Sequence, residues 1–249
     1  MQQATILGCR VDALGSDDAV RRIVELAQGE GPSLVVTLGT EMIVRAQTDE
    51  RFRATVNASA LSLCDTIGVL FAARLHGVQI PGRVAGVELI DPLCARLAHD
   101  RVPVFFMGGR GDTAERAAAT LSARHPGLVI AGARDGFFTA GDDRAVAETI
   151  AGSGARLIFV GLGSPRQELW IAEHLAVTGA SVGIGVGGSF DVLAGNVARA
   201  PAVWRRLNLE WLYRLLKEPS RWRRQLALPK FVALALAERV TNGTRRSVV

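Results

Sequence analysis

The chain has 249 residues, of which 49% are hydrophobic, with a mean hydropathy of +0.22 and a formal net charge of +5. This is enough apolar material for one sizeable core. The sequence has no apolar run long enough to suggest a membrane span. Its first residues show no basic stretch followed by an apolar run, which argues against a signal peptide. The three cysteines are scattered and show no CxxC spacing, which favours a reducing cytoplasm and argues against a cysteine metal site.

Up to about residue 195 the sequence repeats a pattern of short apolar strand, turn and helix. Runs rich in Val, Ile and Phe predict buried parallel strands at Leu34–Leu38, Ala60–Leu63, Val102–Met107, Val129–Ala131, Leu157–Val160 and Val182–Val186. Helices are predicted between them, at Asp17–Ala27, Thr113–Arg124, Asp143–Ala151 and Gln167–Ala176 among others. The alternation predicts an α/β fold, a Rossmann-like parallel sheet with helices on both faces, in a domain of residues 1–195. Ligands of such sheets bind beyond the carboxyl ends of the strands.

Two charged residues stand in loops at that edge. Asp65 follows a predicted strand in the stretch LSLCDTIGV, where it could cap a helix or serve as a general base. Arg83 lies eighteen residues further on, beside a glycine-rich turn, where it could pair with a phosphate or simply lie on the surface.

Three glycine-rich loops also follow predicted strands, and they contain Gly108 and Gly109, Gly161 and Gly163, and Gly187 and Gly188. Helices that start behind such loops direct free N–H groups at the turn, which suits a phosphate. None of the loops matches G-x-G-x-x-G or the P-loop pattern, but three at one sheet edge predict a nucleotide or diphosphate site. In the second loop, Ser164 and Gln167 also fit a capping box with Pro165 at the first helical position, so local capping is an alternative.

Some catalytic patterns are absent from the sequence. There is no D-x-D and no G-x-S-x-G, and the four histidines show no ligand spacing. Metal-dependent chemistry and serine hydrolysis are therefore disfavoured, and we expect neither a metal nor a cofactor.

Residues 196–249 differ in character from the rest of the chain. They carry 12 Lys/Arg and 3 Asp/Glu, a net charge of +9, against −4 for the remainder. Prolines divide them into two or three helices, and tryptophans lie among the arginines, as suits a water–lipid interface. This pattern predicts a basic helical appendage that meets an anionic surface, either a membrane or a nucleic acid.

Taken together and in order, these segments resemble the WecG/TagA/CpsF family of bacterial glycosyltransferases. The matching stretches cover nearly the whole chain and are ILGCRVDALGSDDAVRRIVELA, VVTLGTEMI, CDTIGV, GRVAGVEL, FFMGGRGDTAERAAATL, DGFF, VGLGSPRQELWI and GVGGSFDVLAGNVARAPAVWRRLNLEWLYRLLKEPSRW. The resemblance implies a metal-free, inverting transfer of a hexose, commonly N-acetylmannosamine, from a UDP-sugar to an undecaprenyl-diphosphate-linked N-acetylglucosamine. It also implies a catalytic and nucleotide-sugar-binding domain of residues 1–195, followed by a basic helical appendage of residues 196–249 that associates with the membrane. Peripheral attachment to the inner face of the cell membrane, a role in cell-wall or exopolysaccharide synthesis and the lack of a nucleic-acid partner are implied as well, while a homo-oligomer is left open.

The resemblance further assigns roles to single residues. Asp65 matches the base that deprotonates the acceptor hydroxyl, Arg83 and Gln167 match residues that contact the donor diphosphate, and Thr37 lies at the matching strand end. The basic appendage that covers the site and meets the lipid diphosphate is matched by Arg214, Arg221 and Arg224.

The chain departs from the family pattern at three positions of the expected pocket. Gly39 replaces the usual Asn, Thr66 the usual Gly and Glu88 the usual Asp. The donor sugar therefore stays open, with UDP-glucose or a UDP-uronic acid as alternatives. Outside the family, the glycine-rich loops also allow an NAD-dependent Rossmann oxidoreductase, although no acidic residue lies about 20 residues beyond a proper fingerprint. The Arg/Trp-rich tail likewise allows a nucleic-acid-binding module.

Overall fold

The computed structural model describes residues 2–201, 203–204, 209–217, 222 and 226–246. Its strands are β1 (Gln3–Ile6), β2 (Cys9–Asp12), β3 (Ser33–Leu38), β4 (Leu61–Cys64), β5 (Val104–Gly108), β6 (Ile130–Arg134), β7 (Leu157–Gly161) and β8 (Val182–Gly185). Its helices are α1 (Ser16–Gln28), α2 (Thr40–Ala46), α3 (Glu50–Ala58), α4 (Ile67–Leu75), α5 (Gly86–His99), α6 (Thr113–Arg124), α7 (Asp143–Ala151), α8 (Arg166–Thr178), α9 (Ser189–Leu193), α10 (Glu210–Lys217) and α11 (Ala227–Arg246). The predicted α/β class is confirmed.

The strands form one sheet in the order β1-β2-β4-β3-β8-β7-β5-β6. All neighbours pair in parallel except β1 and β2, which form an antiparallel hairpin at one edge. This hairpin is not among the predicted strands, because each of its strands has only four residues and β1 alternates exposed and buried positions. Such a short amphipathic run does not resemble the buried apolar strands of the rest of the sheet.

Two hydrophobic cores lie on the two faces of the sheet. Alternate residues of β7 point to opposite faces, so Ile158 and Val160 enter one core while Leu157 and Phe159 enter the other. The first core is covered by α2, α3, α4, α7, α8 and α11, and the second by α1, α5, α6 and α9. Helices on both faces explain why the central strands are apolar on every side.

This topology brings the candidate loops together. Because β4, β3, β8, β7, β5 and β6 are mutually parallel, the loops that follow them all leave from the same edge of the sheet. Between β5 and β7 the chain diverges, since β5 leads to α6 on one face and β7 leads to α8 on the other. A crevice opens where neighbouring strands connect to opposite faces, and ligands of open α/β sheets bind there.

The last helix, α11, packs on α2 and α4. Phe231 is 1% exposed and lies against Gly68 at the start of α4, near the carboxyl edge. Towards the other end of α11, Glu238 accepts hydrogen bonds from the Leu7 amide at 3.0 Å and lies 3.1 Å from His76. The final helix of the predicted appendage therefore contributes to the first core. None of the helices in the described ranges is long and apolar enough to cross a bilayer.

Candidate active site

Asp65 directly follows β4 at the carboxyl edge of the sheet. Its Oδ1 accepts a hydrogen bond from the main-chain amide of Gly86, the first residue of α5, at 3.1 Å. Thr66, and not Asp65, is the N-cap residue of α4, so the capping alternative for Asp65 is wrong. The carboxylate instead faces the N-terminus of α5, whose dipole stabilises negative charge.

Arg83 lies beside Asp65 in the structure. Its Nη1 donates to the main-chain carbonyl of Asp65 at 3.4 Å, and its side chain is only 21% exposed. Its Nη2 lies 3.7 Å from Glu88, which also pairs with Arg199 at 2.8 Å. The alternative of a plain surface arginine does not describe this mostly buried arrangement. The Arg83 guanidinium thus contacts the main chain of Asp65, and the two residues lie at one corner of the edge.

The three departures from the family pattern surround this corner. A Cβ atom at Gly39 would lie 3.4 Å from Thr66 Cγ2 and 3.8 Å from Asp65 Oδ2. Gly39 and Thr66 are therefore neighbours, and both adjoin the Asp65 carboxylate. Glu88 is the ion-pair partner of Arg83. The three departures therefore cluster around Asp65 and Arg83.

Thr37 lies near the end of β3, between this corner and the middle of the sheet. It is 8% exposed, and its hydroxyl donates to the main-chain carbonyl of Gly185 in β8 at 3.0 Å. A Cβ at Gly86 would lie 3.4 Å from the same hydroxyl. Thr37 thus joins the ends of β3 and β8 directly beneath the amide that holds Asp65.

Gln167 does not form the predicted capping box with Ser164. Helix α8 starts at Arg166, so Pro165 occupies the N-cap position instead of the first helical position, and no side chain caps the helix. The amide of Gln167 instead reaches the next loop, where its Oε1 accepts from the Gly187 main-chain N–H at 3.0 Å. Its Nε2 donates to Glu168 Oε1 at 2.7 Å. Gln167 therefore connects the loop after β7 to the loop after β8.

Glu168 is a residue of this site that the sequence reasoning missed. It is fully buried, and burial raises the pKa of its carboxyl group, an effect opposed by hydrogen bonds from Gln167 and Ser164. A glutamate in the first turn of a helix is ordinarily a solvated residue that favours the helix dipole, so it attracts no attention in a sequence. The available signal was Gly185, whose missing side chain leaves the space that Gln167 and Glu168 fill.

The predicted glycines fall into two groups. Gly108, Gly109 and Gly161 are crowded: a Cβ at Gly108 would lie 2.5 Å from the Gly161 carbonyl oxygen, and one at Gly109 would lie 2.8 Å from Thr113. Gly163 and Gly187 have positive φ angles, and a Cβ there would meet nothing within 4 Å. At Gly188 the nearest atom is Asp191 Oδ2 at 3.8 Å. Open space thus lies over the loops after β7 and β8.

A cleft of about 510 Å³ lies at the crevice between β5 and β7. Phe137 in its wall is 65% exposed, with the Arg110 guanidinium 5.2 Å from its ring centroid. Arg166 lies 4.5 Å from the Phe138 ring and donates to the Phe138 carbonyl at 2.7 Å. Aromatic faces with adjacent guanidinium groups suit a nucleobase joined to an anionic group. The sequence analysis includes DGFF, residues 135–138, in the family resemblance but assigns Phe137 and Phe138 no role.

A second cleft of about 670 Å³ lies between α5, α9 and the segment that follows α9. Its charged groups neutralise one another, since Glu88 pairs with Arg199 and Asp91 pairs with Arg124. It therefore offers less to an anionic ligand than the first cleft does. No group of three His, Cys, Asp or Glu side chains within the described ranges is placed to hold a metal ion.

Three arginines of the appendage, Arg214, Arg221 and Arg224, were predicted to bind substrate. Arg221 and Arg224 lie outside the described residues, and Arg214 belongs to α10 but its side chain lies outside them. The ends of their segment are described. Arg199 pairs with Glu88 near Arg83, and α11 begins beside Gly68, so the segment leaves and rejoins the body at the carboxyl edge of the sheet.

Comparison with known proteins gives a consistent result. The family model of the glycosyl transferase WecG/TagA/CpsF family matches residues 4–245 of the chain. An N-acetylglucosaminyldiphosphoundecaprenol N-acetyl-beta-D-mannosaminyltransferase of Bacillus spizizenii is 37% identical over 211 residues, which is 85% of this chain and 81% of the relative. A protein of the same name from Bacillus subtilis strain 168 is 34% identical over 212 residues, which is 85% of this chain and 82% of that relative.

Proposed function

The chain belongs to the WecG/TagA/CpsF family of glycosyl transferases, and on that premise we propose that it transfers N-acetylmannosamine from its UDP-sugar to N-acetylglucosaminyl-diphosphoundecaprenol. Both relatives carry this sugar and this acceptor in their names. The observation that carries the proposal is the corner of Asp65 and Arg83, where the Arg83 guanidinium donates to the main-chain carbonyl of Asp65 at the edge that also holds the aromatic cleft. Family membership also favours glycosyl transfer over the NAD-dependent oxidoreductase that the glycine-rich loops allowed.

The sheet edge offers an ordered path for the donor. We place the nucleobase in the cleft at Phe137 and Arg166, the diphosphate over Gly163 and Gly187, and the sugar towards Asp65. The path crosses β5, β7, β8, β3 and β4, and at about 4.8 Å between strands it spans roughly 15–19 Å. An extended nucleoside-diphosphate sugar can bridge such a path.

The chemistry follows from the groups along this path. Asp65 takes the proton of the acceptor hydroxyl, and the oxygen attacks the anomeric carbon from the side opposite the diphosphate. The bond from that carbon to UDP breaks, so negative charge grows on the leaving diphosphate. Arg83, the amides of the open loops and the N-terminus of α8 stabilise that charge. A single displacement needs only one base and inverts the anomeric configuration.

The basic segment supplies the site of the lipid acceptor in this proposal. It begins and ends at the carboxyl edge, carries Arg214, Arg221 and Arg224, and belongs to a region of net charge +9. Its described apolar side chains include Leu216, Trp222 and Leu226, which are 64%, 53% and 56% exposed. Each basic residue near an anionic leaflet contributes about 1 kcal/mol, so we propose peripheral attachment to the inner membrane face, beside the lipid diphosphate.

A panel of donors tests the reaction. UDP-N-acetylmannosamine, UDP-N-acetylglucosamine, UDP-glucose and UDP-glucuronate are each offered with an N-acetylglucosaminyl-diphosphate lipid in anionic vesicles, and the product is detected by mass. We expect the first donor to give the highest kcat/KM. A higher kcat/KM with UDP-glucose or UDP-glucuronate would replace N-acetylmannosamine as the proposed sugar. That result would agree with the departures from the family pattern at Gly39 and Thr66. No transfer from any donor, together with no binding of UDP, would overturn the proposal.

The Asp65→Asn variant tests the base. Because Asn keeps the shape but cannot accept the proton, we expect kcat to fall about 10²–10⁴-fold while UDP affinity and Tm stay near those of the wild type. Asp91→Asn is the matched control, since it removes a carboxylate from α5 that pairs only with Arg124 and His125 among the described contacts. Normal turnover by Asp65→Asn would remove Asp65 from its role.

A further inference from the structure

The Gln167–Glu168 pair is buried at the centre of the edge, and the reaction described above does not use Glu168. Gln167 is 4% exposed and Glu168 is 0% exposed. Both side chains fill the space beside Gly185 in β8, where a Cβ would lie 2.6 Å from Gln167 Nε2 and 2.9 Å from Glu168 Oε1. A carboxyl group without a charged partner is costly to bury, so its place here needs an explanation.

The hydrogen bonds show what Glu168 does to its neighbour. A side-chain amide has one accepting and one donating end, and either end can face a given group if nothing else decides. Gly187 offers an N–H, so Gln167 must present its oxygen there, and its Nε2 must then face Glu168. Glu168 can accept at that point, whereas an apolar residue would leave the amide nitrogen buried without a partner.

The orientation of Gln167 in turn fixes the floor of the proposed donor path. Gln167 belongs to the helix after β7, and Gly187 belongs to the loop after β8. Their hydrogen bond thus ties the first turn of α8, which directly follows the loop of Gly163, to the loop of Gly187, and the diphosphate is placed over these two loops. If the amide turned, the Gly187 N–H would lose its acceptor and the loop would be less fixed.

We propose that Glu168 is a positioning residue, which holds the Gln167 amide in the one orientation that links the two diphosphate loops. It acts without touching the substrate. This inference rests on the proposed function, since it concerns the donor site.

Substitutions at Glu168 separate this role from plain packing. Glu168→Leu keeps the approximate shape but cannot accept, and we expect UDP to bind about tenfold more weakly, with kcat/KM for the donor falling at least as much. Glu168→Gln keeps an accepting oxygen and should restore most of that loss. Ile171→Ala is the matched control, because Ile171 contacts Gly183 one helical turn further along the same helix and strand. It should lower Tm while kcat/KM per folded molecule stays the same.

A double variant tests whether Glu168 acts through Gln167. If it does, Gln167→Leu/Glu168→Leu should bind UDP no more weakly than Gln167→Leu alone. Additive losses, or Glu168→Leu binding UDP as the wild type does, would overturn the inference and leave the proposed function standing. If the activity of Glu168→Leu falls only in proportion to its folded fraction, measured by circular dichroism, the inference is likewise overturned and the proposed function stands. A wild type that does not bind UDP would overturn both.

Discussion

The strand ends of β5 and β7 and the loops that follow β7 and β8 are equally rich in glycine, yet for opposite reasons. At Gly108 a side chain would collide with the backbone of Gly161, so glycine lets two strand ends approach each other. At Gly163 a side chain would meet nothing within 4 Å, so no packing requires glycine there, although its φ of +77° favours it. A glycine in such loops can therefore indicate either close packing or open space. Only the atoms around each position distinguish the two cases.

Gly185 represents a third situation between these two. Its missing side chain is replaced by the polar ends of Gln167 and Glu168, which come from the neighbouring helix. The glycine serves the site indirectly, by making room for the residues that link the two open loops. These three situations lead to different effects of substitution, which allows the comparison to be tested.

Gly108→Ala should have the largest effect on stability. The new Cβ would lie 2.5–2.6 Å from main-chain atoms of Gly161, which cannot rotate away as a side chain would, and φ at this position is +140°. Overpacking of this kind costs about 3 kcal/mol, or about 6–12 °C in Tm for a chain of this size. Thermal unfolding followed by circular dichroism measures the loss. A Tm within 2 °C of the wild type, about 1 kcal/mol or less, would show that the strand ends separate easily.

Gly163→Ala should have a smaller effect on stability and a specific one on the donor. Adopting its φ of +77° costs an alanine about 1–2 kcal/mol, but the new methyl group occupies the open space over the loop. We expect KM for the UDP-sugar to rise about tenfold, by analogy with the loss of one well-placed polar contact. Initial rates at varied donor concentration measure it.

Gly179→Ala is the control for that experiment. Gly179 caps the other end of α8, with φ of +69° and nothing within 4 Å of its Cβ position, so the strain is alike but the donor path is distant. Equal losses of Tm with a changed KM only in Gly163→Ala would support the assignment of open space to the ligand. Equal KM values in both variants would contradict it.

The sequence predicted the positions of the candidate loops in the fold better than it predicted the contacts that single residues make there. Parallel strands end at one edge whatever their side chains, so the strand pattern placed Asp65 at the carboxyl edge. Arg83 follows helix α4 instead of a strand, so only the family resemblance grouped it with Asp65. The role of Gln167 could not be predicted in this way. Its local pattern with Ser164 satisfies a capping box, but its actual partner is Gly187, twenty residues away. A contact between two loops that is fixed by the packing of a helix on a strand leaves no local sequence signal.

The fold shows the same division between local and long-range information. The central strands were predicted to within a few residues because buried parallel strands are apolar throughout. The hairpin of β1 and β2 was missed because its short strands carry a mixed pattern. The burial of Phe231 was also missed, since a helix in a basic tail gives no sign of which surface it covers.

The smallest expected effect is a pH dependence of the free energy of unfolding. It arises from Glu168, whose carboxyl group fills the space beside Gly185. Burial raises the pKa of Glu168 above its ordinary value of 4.5, and no charged group among the described residues contributes to that shift. Between 4.5 and the raised pKa the unfolded chain releases this proton while the folded chain keeps it, so the contribution of Glu168 to the free energy of unfolding falls as pH rises. Glu168→Gln lacks this proton, and its Tm relative to the wild type should increase from pH 4.5 to pH 8. Each pKa unit corresponds to about 1.4 kcal/mol, and each kcal/mol to about 2–4 °C. A difference in Tm that stays constant across this range would mean that Glu168 titrates as it would in water, and that the space beside Gly185 is not as closed as the packing indicates.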